Sequence, residues 1–246
     1  MEIERLSSGI PGLDRNVEWG FPNPMVLIIE GEPGTGKSTL ALQMLFNECE
    51  GKNRIYFSGI TEPFQNIRRN MSRFRFFDWQ KVAQGEVHFV DIGQAIAMGG
   101  EARLTPTRES EMPLGEPFET IIDMCRKHHP DIIAIDPLLT SYSPESLKYR
   151  RVFYDFLKVI REMGVFCVIV KEATDKAAKS ADNYMADGVL TLGIRPLMDV
   201  PTEYRNVLRI TKLRGTRHAT KLLQLEITKE GVTVVPLEQF IIGSIP

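Results

Sequence analysis

Apolar residues gather along this chain into short unbroken runs instead of alternating with polar ones. The runs are Val26-Leu27-Ile28-Ile29, Arg54-Ile55-Tyr56-Phe57, Val87-His88-Phe89-Val90, Ile132-Ile133-Ala134-Ile135 and Val165-Phe166-Cys167-Val168-Ile169-Val170. Strands buried on both faces read this way, because neither side of the pleat meets water. Between the runs the apolar spacing turns helical. Lys37 to Glu50 sets Leu40, Ala41, Met44 and Leu45 on one face, Phe118 to His128 sets Ile121, Ile122 and Cys125, and Ser146 to Met163 sets Phe153, Phe156, Leu157 and Ile160. Strands alternating with helices predict an α/β fold whose central sheet is mostly parallel, with right-handed crossovers.

The pattern changes after residue 187. Gly188 to Leu192, Tyr204 to Ile210, Lys221 to Ile227 and Val232 to Val235 read as consecutive strands separated by turn residues such as Lys229-Glu230-Gly231. Without intervening helices they predict an antiparallel extension of one sheet edge. Gly99 to Pro117, rich in Gly, Pro and charge, predicts a mobile surface loop. No internal repeat or low-complexity run divides the chain, so residues 1–246 are expected to form a single domain.

One strand-to-helix junction carries chemistry. Gly31-Glu32-Pro33-Gly34-Thr35-Gly36-Lys37-Ser38 matches G-x-x-x-x-G-K-[ST] in full, after the first apolar run and at the start of the first helical stretch. Glycines allow a tight turn that brings backbone N–H groups toward phosphates, and the helix N-terminus adds partial positive charge. The expected ligand is a nucleoside triphosphate, ATP with Mg²⁺. Lys37 is expected to reach the β- and γ-phosphates, the Ser38 hydroxyl to ligate Mg²⁺, and Thr39 to touch the α-phosphate. Asp136 closes the run Ile132 to Ile135 and is the expected Walker B acid, holding Mg²⁺ through water or Ser38.

Composition adds exclusions. A net charge of −2 gives no general attraction to nucleic acid or anionic membrane. Cys49, Cys125 and Cys167 have no zinc or disulfide spacing and are expected to be reduced, buried thiols of a cytoplasmic protein. Met1 to Arg5 carries acids and no apolar core, so no signal peptide is expected, and no run of 18 apolar residues predicts a membrane span. The four histidines are scattered; His128-His129 before Pro130 suits helix capping, and no metal set is expected. Phe76, Phe77 and Trp79 lie among Arg68, Arg69, Arg73 and Arg75. That mixture fits an amphipathic helix with arginines outward, part of a subunit interface, or stacking on bases.

Five segments in order resemble the KaiC branch of the RecA-type ATPases. They are Leu6-Ser7-Ser8-Gly9-Ile10-Pro11-Gly12-Leu13-Asp14, Trp19-Gly20-Phe21-Pro22, the P-loop, Ala186-Asp187-Gly188-Val189, and Lys212-Leu213-Arg214-Gly215-Thr216-Arg217-His218. The resemblance covers about Arg5 to Val235. It implies a RecA-like core and a homo-oligomer, usually a hexameric ring, with ATP at subunit interfaces. It also implies that Lys212 and Arg214 contact the γ-phosphate held by the neighbouring subunit; read without it, they are a solvated basic hairpin tip. The chain has one P-loop, one of the two halves found in the clock protein, so a circadian role does not follow. The protein partner is not identified.

The family pattern breaks after the second strand. Where a pair of glutamates is expected stand Ile60 and Thr61, with Glu62 one position later. Isoleucine cannot accept a proton and neutral threonine is a poor base. Either Glu62 moves into place through a bulge near Gly59, or hydrolysis is slow; beside Pro63, Glu62 also suits a helix cap. Glu172 either senses the γ-phosphate or is a solvated acid paired with Lys171 or Lys176. Three functions are weighed: an ATPase ring, an ATP-gated scaffold that scarcely hydrolyses, and a RecA-like DNA-binding accessory. The last rests on Lys148, Arg150, Arg151, Lys176 and Lys179 and is disfavoured by the acidic balance.

Overall fold

The computed structural model describes residues 4–47, 52–59, 64–93, 95, 116–138, 146–173, 181–196 and 203–237. A short ribbon pairs β1 (Arg5–Leu6) with β2 (Phe21–Pro22). Next come β3 (Val26–Gly31), α1 (Lys37–Phe46), β4 (Arg54–Ser58), α2 (Phe64–Met71), α3 (Trp79–Ala83), β5 (Val87–Asp91), α4 (Glu116–His128) and β6 (Ile132–Asp136). The chain continues through α5 (Leu147–Glu162), β7 (Phe166–Glu172), α6 (Ala181–Met185), β8 (Gly188–Pro196), β9 (Tyr204–Leu213), β10 (Leu223–Thr228) and β11 (Gly231–Pro236). The main sheet runs β11-β10-β9-β8-β3-β7-β6-β4-β5.

The strands from β8 to β5 are mutually parallel, and β9, β10 and β11 continue the sheet antiparallel. The α/β expectation therefore holds, with one correction. The strand at Gly188 to Leu192 is parallel to β3 and belongs to the main sheet, so the antiparallel extension begins only at β9. The crossover into β8 contains the five-residue α6, too short to show helical periodicity. The Arg68–Trp79 segment also differs from a single amphipathic helix: α2 and α3 are separate. Trp79 lies under the Arg68 guanidinium at 4.1 Å, Arg75 pairs with Glu230, and Phe74 and Phe77 are buried. The arginines thus face outward over an aromatic base.

Alternation along β3 divides the core. Leu27 and Ile29 pack with α1, β10, β11 and the N-terminal segment, while Val26 and Ile28 pack with α4 and α5. Gln43 of α1 serves the edge strand β11, donating to the Val232 carbonyl at 3.1 Å and accepting from the Val232 N–H at 2.5 Å. Most of Gly99 to Pro117, and Cys49, lie outside the described residues.

Cys125 and Cys167 are buried, and burial pushes the Cys125 thiol up to about 12 and the Cys167 thiol well above its usual range. A buried neutral thiol is a poor nucleophile. A thiol-specific alkylating agent at pH 8 is expected to leave both unmodified in the folded protein and to label both after denaturation, read by peptide mass. Rapid native labelling of Cys125 would contradict this packing.

Candidate nucleotide site

Strand β3 ends at Gly31, where the chain leaves the sheet and turns toward α1. Gly34 and Gly36 take φ of 82° and 93°, conformations that L side chains avoid. A Cβ at Gly36 would also stand 2.5 Å from Ile227 Cδ1 on β10. The loop is tied across its base: Thr35 Oγ1 and Lys37 Nζ each donate to the Glu32 carbonyl at 2.8 Å. Gly36 is the N-cap of α1 and no side chain caps that end. The first-turn N–H groups are therefore left for an anion. Thr39 is buried in the first turn.

Two acids face this cradle from neighbouring strands. Gly31 is in register with Glu172, the last residue of β7, and Asp136 ends β6 one strand further on. Burial pushes the Lys37 ammonium below its usual range, while the charges of Glu172 and Asp136 act in the opposite direction. Asp136 is raised by burial, against hydrogen bonds from Ser38 and Tyr56 and the charge of Lys37. The Tyr56 hydroxyl donates to Asp136 Oδ2 at 2.7 Å. Ser38 and Asp136 thus present two hard oxygen donors side by side, the donor type Mg²⁺ takes when it keeps several waters and phosphate oxygens. The residues present fit both a triphosphate and its metal.

Glu172 is not paired with its neighbour Lys171. Successive strand residues point to opposite faces, and Lys171 pairs with Asp182 at 3.3 Å and Glu30 at 3.8 Å on the other side of the sheet. Ile60, Thr61 and Glu62 lie outside the described residues, as do Lys176 and Lys179. His129 takes φ of 47° just past α4, and its N–H donates to the Cys125 carbonyl at 2.8 Å. It is thus the backbone, in a left-handed turn, that closes this helix end.

Lys212 and Arg214 stand at the end of β9, and among the described residues no hydrogen bond or ion pair joins them to their own P-loop. Nor is Lys212 a solvated tip. Its ammonium donates to the carbonyls of Asn183 at 2.9 Å, Tyr184 at 2.7 Å and Ala186 at 2.7 Å, closing the C-terminus of α6. Burial, then the charge of Arg214, lowers its pKa. Arg214 donates to the Tyr184 carbonyl at 2.8 Å and stands 3.7 Å from Asp187, which Arg161 also grips at 3.1 Å. A cleft of about 940 Å³ opens here, lined by Arg150, Arg151, Tyr154, Tyr184, Lys212 and Arg214 among others.

Three polar residues around these sites were not singled out from the sequence. Tyr56 carries a hydroxyl in the middle of its apolar run, which is a usable signal. Glu30 ends the run before the P-loop, a place where a carboxylate is out of pattern. Asn183 has no sequence signal, because its partners lie far away in the chain.

The chain matches a family model described as ATPase: KaiC over residues 6–239. It is 29% identical over 245 residues to a UPF0273 protein of Aeropyrum pernix, covering 95% of this chain and 94% of that one. It is 27% identical over 243 residues to the circadian clock protein KaiC3 of Synechocystis, covering 96% of this chain but 46% of that one. A crystal structure of a KaiC-like protein from Pyrococcus horikoshii superposes with a TM-score of 0.75 at 26% identity, over 96% of this chain and all of that one. The fold is that of the RecA-type P-loop ATPases, with the parallel sheet and antiparallel C-terminal strands described above. No helix among the described residues is long and apolar enough to cross a membrane.

Proposed function

The chain belongs to the KaiC ATPase family, and on that premise we propose that it is a Mg²⁺-dependent ATP-binding switch, slow in hydrolysis, that assembles through ATP shared between subunits. The observation that carries this reading is the convergence of Lys37, Ser38 and Asp136 at the uncapped N-terminus of α1. A loop, a cation and a pair of oxygen donors converge there, as triphosphate binding requires.

The chain's own groups divide the work. Backbone N–H groups of Gly34 to Ser38 hold the β-phosphate, and Lys37 neutralises charge toward the γ-phosphate. Ser38 and Asp136 would hold the metal, and Tyr56 fixes the carboxylate by donating to Asp136 Oδ2. Mg²⁺, when bound, supplies charge neutralisation on the phosphate oxygens. Arg214 closes the site from the next subunit, and Lys212, whose three N–H groups already hold the end of α6, adds positive charge beside it. Glu62 is the nearest candidate in sequence to orient the attacking water. Slow turnover is motivated by Ile60 and Thr61, which offer no acid. The same substitution supports a second reading, a scaffold that assembles on ATP without consuming it.

Subunit mixing tests the shared site. Lys37→Ala chains keep Arg214, and Arg214→Ala chains keep the P-loop. Each is expected to release little phosphate alone. Mixed one to one, roughly a quarter of sites regain both parts by random pairing in a ring, so phosphate release should reappear. Particle mass with and without ATP is measured on the same samples. Absence of recovery in mixed, assembled particles would reject sharing, and assembly on ATP without phosphate release by the unmodified chain would select the scaffold.

A further inference from the structure

Glu30 stands one residue before Gly31, and at 2% exposure it is among the most buried charged groups described. A carboxylate so placed needs partners. Asn183 Nδ2 donates to Oε2 at 2.9 Å, Thr191 Oγ1 donates to Oε1 at 3.0 Å, and the Lys171 ammonium lies 3.8 Å away. Lys171 also holds Asp182 at 3.3 Å. Asp182 and Asn183 of α6 are therefore fastened to the ends of β7 and β3, next to Glu172 and to the P-loop.

The other end of α6 carries the trans cations. Lys212 takes the carbonyls of Asn183, Tyr184 and Ala186, and Arg214 takes that of Tyr184. Asn183 belongs to both sets: its side chain binds Glu30 and its carbonyl binds Lys212. A helix of five residues has little rigidity of its own, so its position is set by these bonds. The path from the nucleotide strand to the cations is four residues long: Gly31, Glu30, Asn183, Lys212.

We infer that Glu30 and Asn183 are positioning residues for Lys212 and Arg214, fixing where each subunit presents these cations to the nucleotide of the next. The inference rests on the shared-site reading above. It also assigns a direction of influence within one chain. The strand that ends in the P-loop holds the element that serves the neighbouring P-loop, so a shift of Glu30 on nucleotide binding is passed to the adjacent site.

A donor–acceptor exchange tests it. Asn183→Asp sets a second carboxylate against Glu30. The ATP concentration for half-maximal assembly, followed by light scattering, is expected to rise about tenfold, the equivalent of one charge-assisted hydrogen bond. Binding of a fluorescent ATP analogue to dilute, unassembled subunits should stay within about twofold, because the P-loop itself is intact. Combining Glu30→Gln with Asn183→Asp lets Gln donate and Asp accept, with the cluster's charge unchanged. That double variant is expected to recover to within about threefold of the unmodified chain.

Asn183→Ala, which introduces no charge, serves as the second single variant, and each protein's melting temperature is recorded. Normal assembly by folded Asn183→Asp and Asn183→Ala would overturn the inference. So would a folded double variant that fails to recover. Arg214→Ala separates the two levels. If it assembles like the unmodified chain, the shared-site reading falls and this inference with it; if it is impaired while the Asn183 variants are not, only the positioning role is lost.

Discussion

Replacing Lys37 with alanine is expected to abolish the protein's response to Mg²⁺-ATP while leaving the nucleotide-free fold intact. The ammonium stands at the start of α1, where on the proposed reading its charge would meet the β- and γ-phosphates of a bound nucleotide. A charge-assisted bond of this kind is worth up to about 3 kcal/mol, so affinity should fall roughly 100-fold. The unmodified chain, at ATP about 100 times its Kd, should gain about 2.7 kcal/mol and melt about 8 °C higher. At the same ATP concentration, Lys37→Ala should show almost no shift.

The sign of the effect without nucleotide separates a binding residue from a structural one. Burial holds the Lys37 pKa below its usual value despite Glu172 and Asp136. The folded state therefore disfavours the charged form relative to the unfolded chain. That penalty is fully present at neutral pH and is relieved as pH rises through the lowered folded value toward the unfolded one. Removing the ammonium removes the penalty, which offsets the loss of its bond to the Glu32 carbonyl at 2.8 Å, so Lys37→Ala should melt within about 3 °C of the unmodified chain in the absence of ATP. A large loss of nucleotide-free stability would place Lys37 in the scaffold. Differential scanning calorimetry with and without Mg²⁺-ATP reads both quantities.

That cradle was legible in the sequence because its requirements are local. Glycines at left-handed positions, a lysine and a serine at a helix start, and an acid closing a buried strand are all set by spacing along the chain. The parallel strands were legible for a related reason: burial on both faces removes polar residues from the whole run. What escaped notice depends on contacts between distant segments. The parallel pairing of β8 is hidden because α6 has only five residues. The bond between Glu30 and Asn183 joins residues 153 positions apart. Lys212 reads as a surface charge until the carbonyls of Asn183, Tyr184 and Ala186, in and just after α6, are seen to surround its ammonium. The ribbon of β1 and β2 has two residues in each strand, too few for any period.

The N-terminal motif shows the converse, a pattern plain in the sequence whose physical reason appears only in the fold. Gly12→Ala is expected to be the most damaging of single-methyl additions, lowering stability by about 2–5 kcal/mol and the melting temperature by about 10 °C. Gly12 has φ of 84°, and a Cβ there would overlap the carbonyl oxygen of Val234 on β11. Backbone cannot swing aside as a side chain can, and Val234 is held by its N–H to the Pro11 carbonyl at 2.8 Å. Asp14 completes the clamp, its carboxylate accepting from the Ser7 hydroxyl at 2.7 Å, the Ser8 N–H at 2.9 Å and the Ser8 hydroxyl at 2.6 Å. The segment also reaches the loop that follows Arg214: the Ala219 N–H donates to the Asn16 carbonyl at 3.0 Å, and Arg5 reaches Thr216 at 3.4 Å. Loss of the clamp should therefore loosen the segment of Lys212 and Arg214 as well as the edge strand; if that segment serves a neighbouring subunit as proposed, Gly12→Ala should weaken ATP-dependent assembly more than ATP binding. Gly34→Ala is the matched control. Its φ of 82° is as unfavourable, yet a Cβ there meets nothing within 4 Å, so it should cost only the 1–2 kcal/mol of the left-handed backbone. Equal melting temperatures for the two variants would show that the approach of Val234, not the backbone conformation alone, had been overvalued.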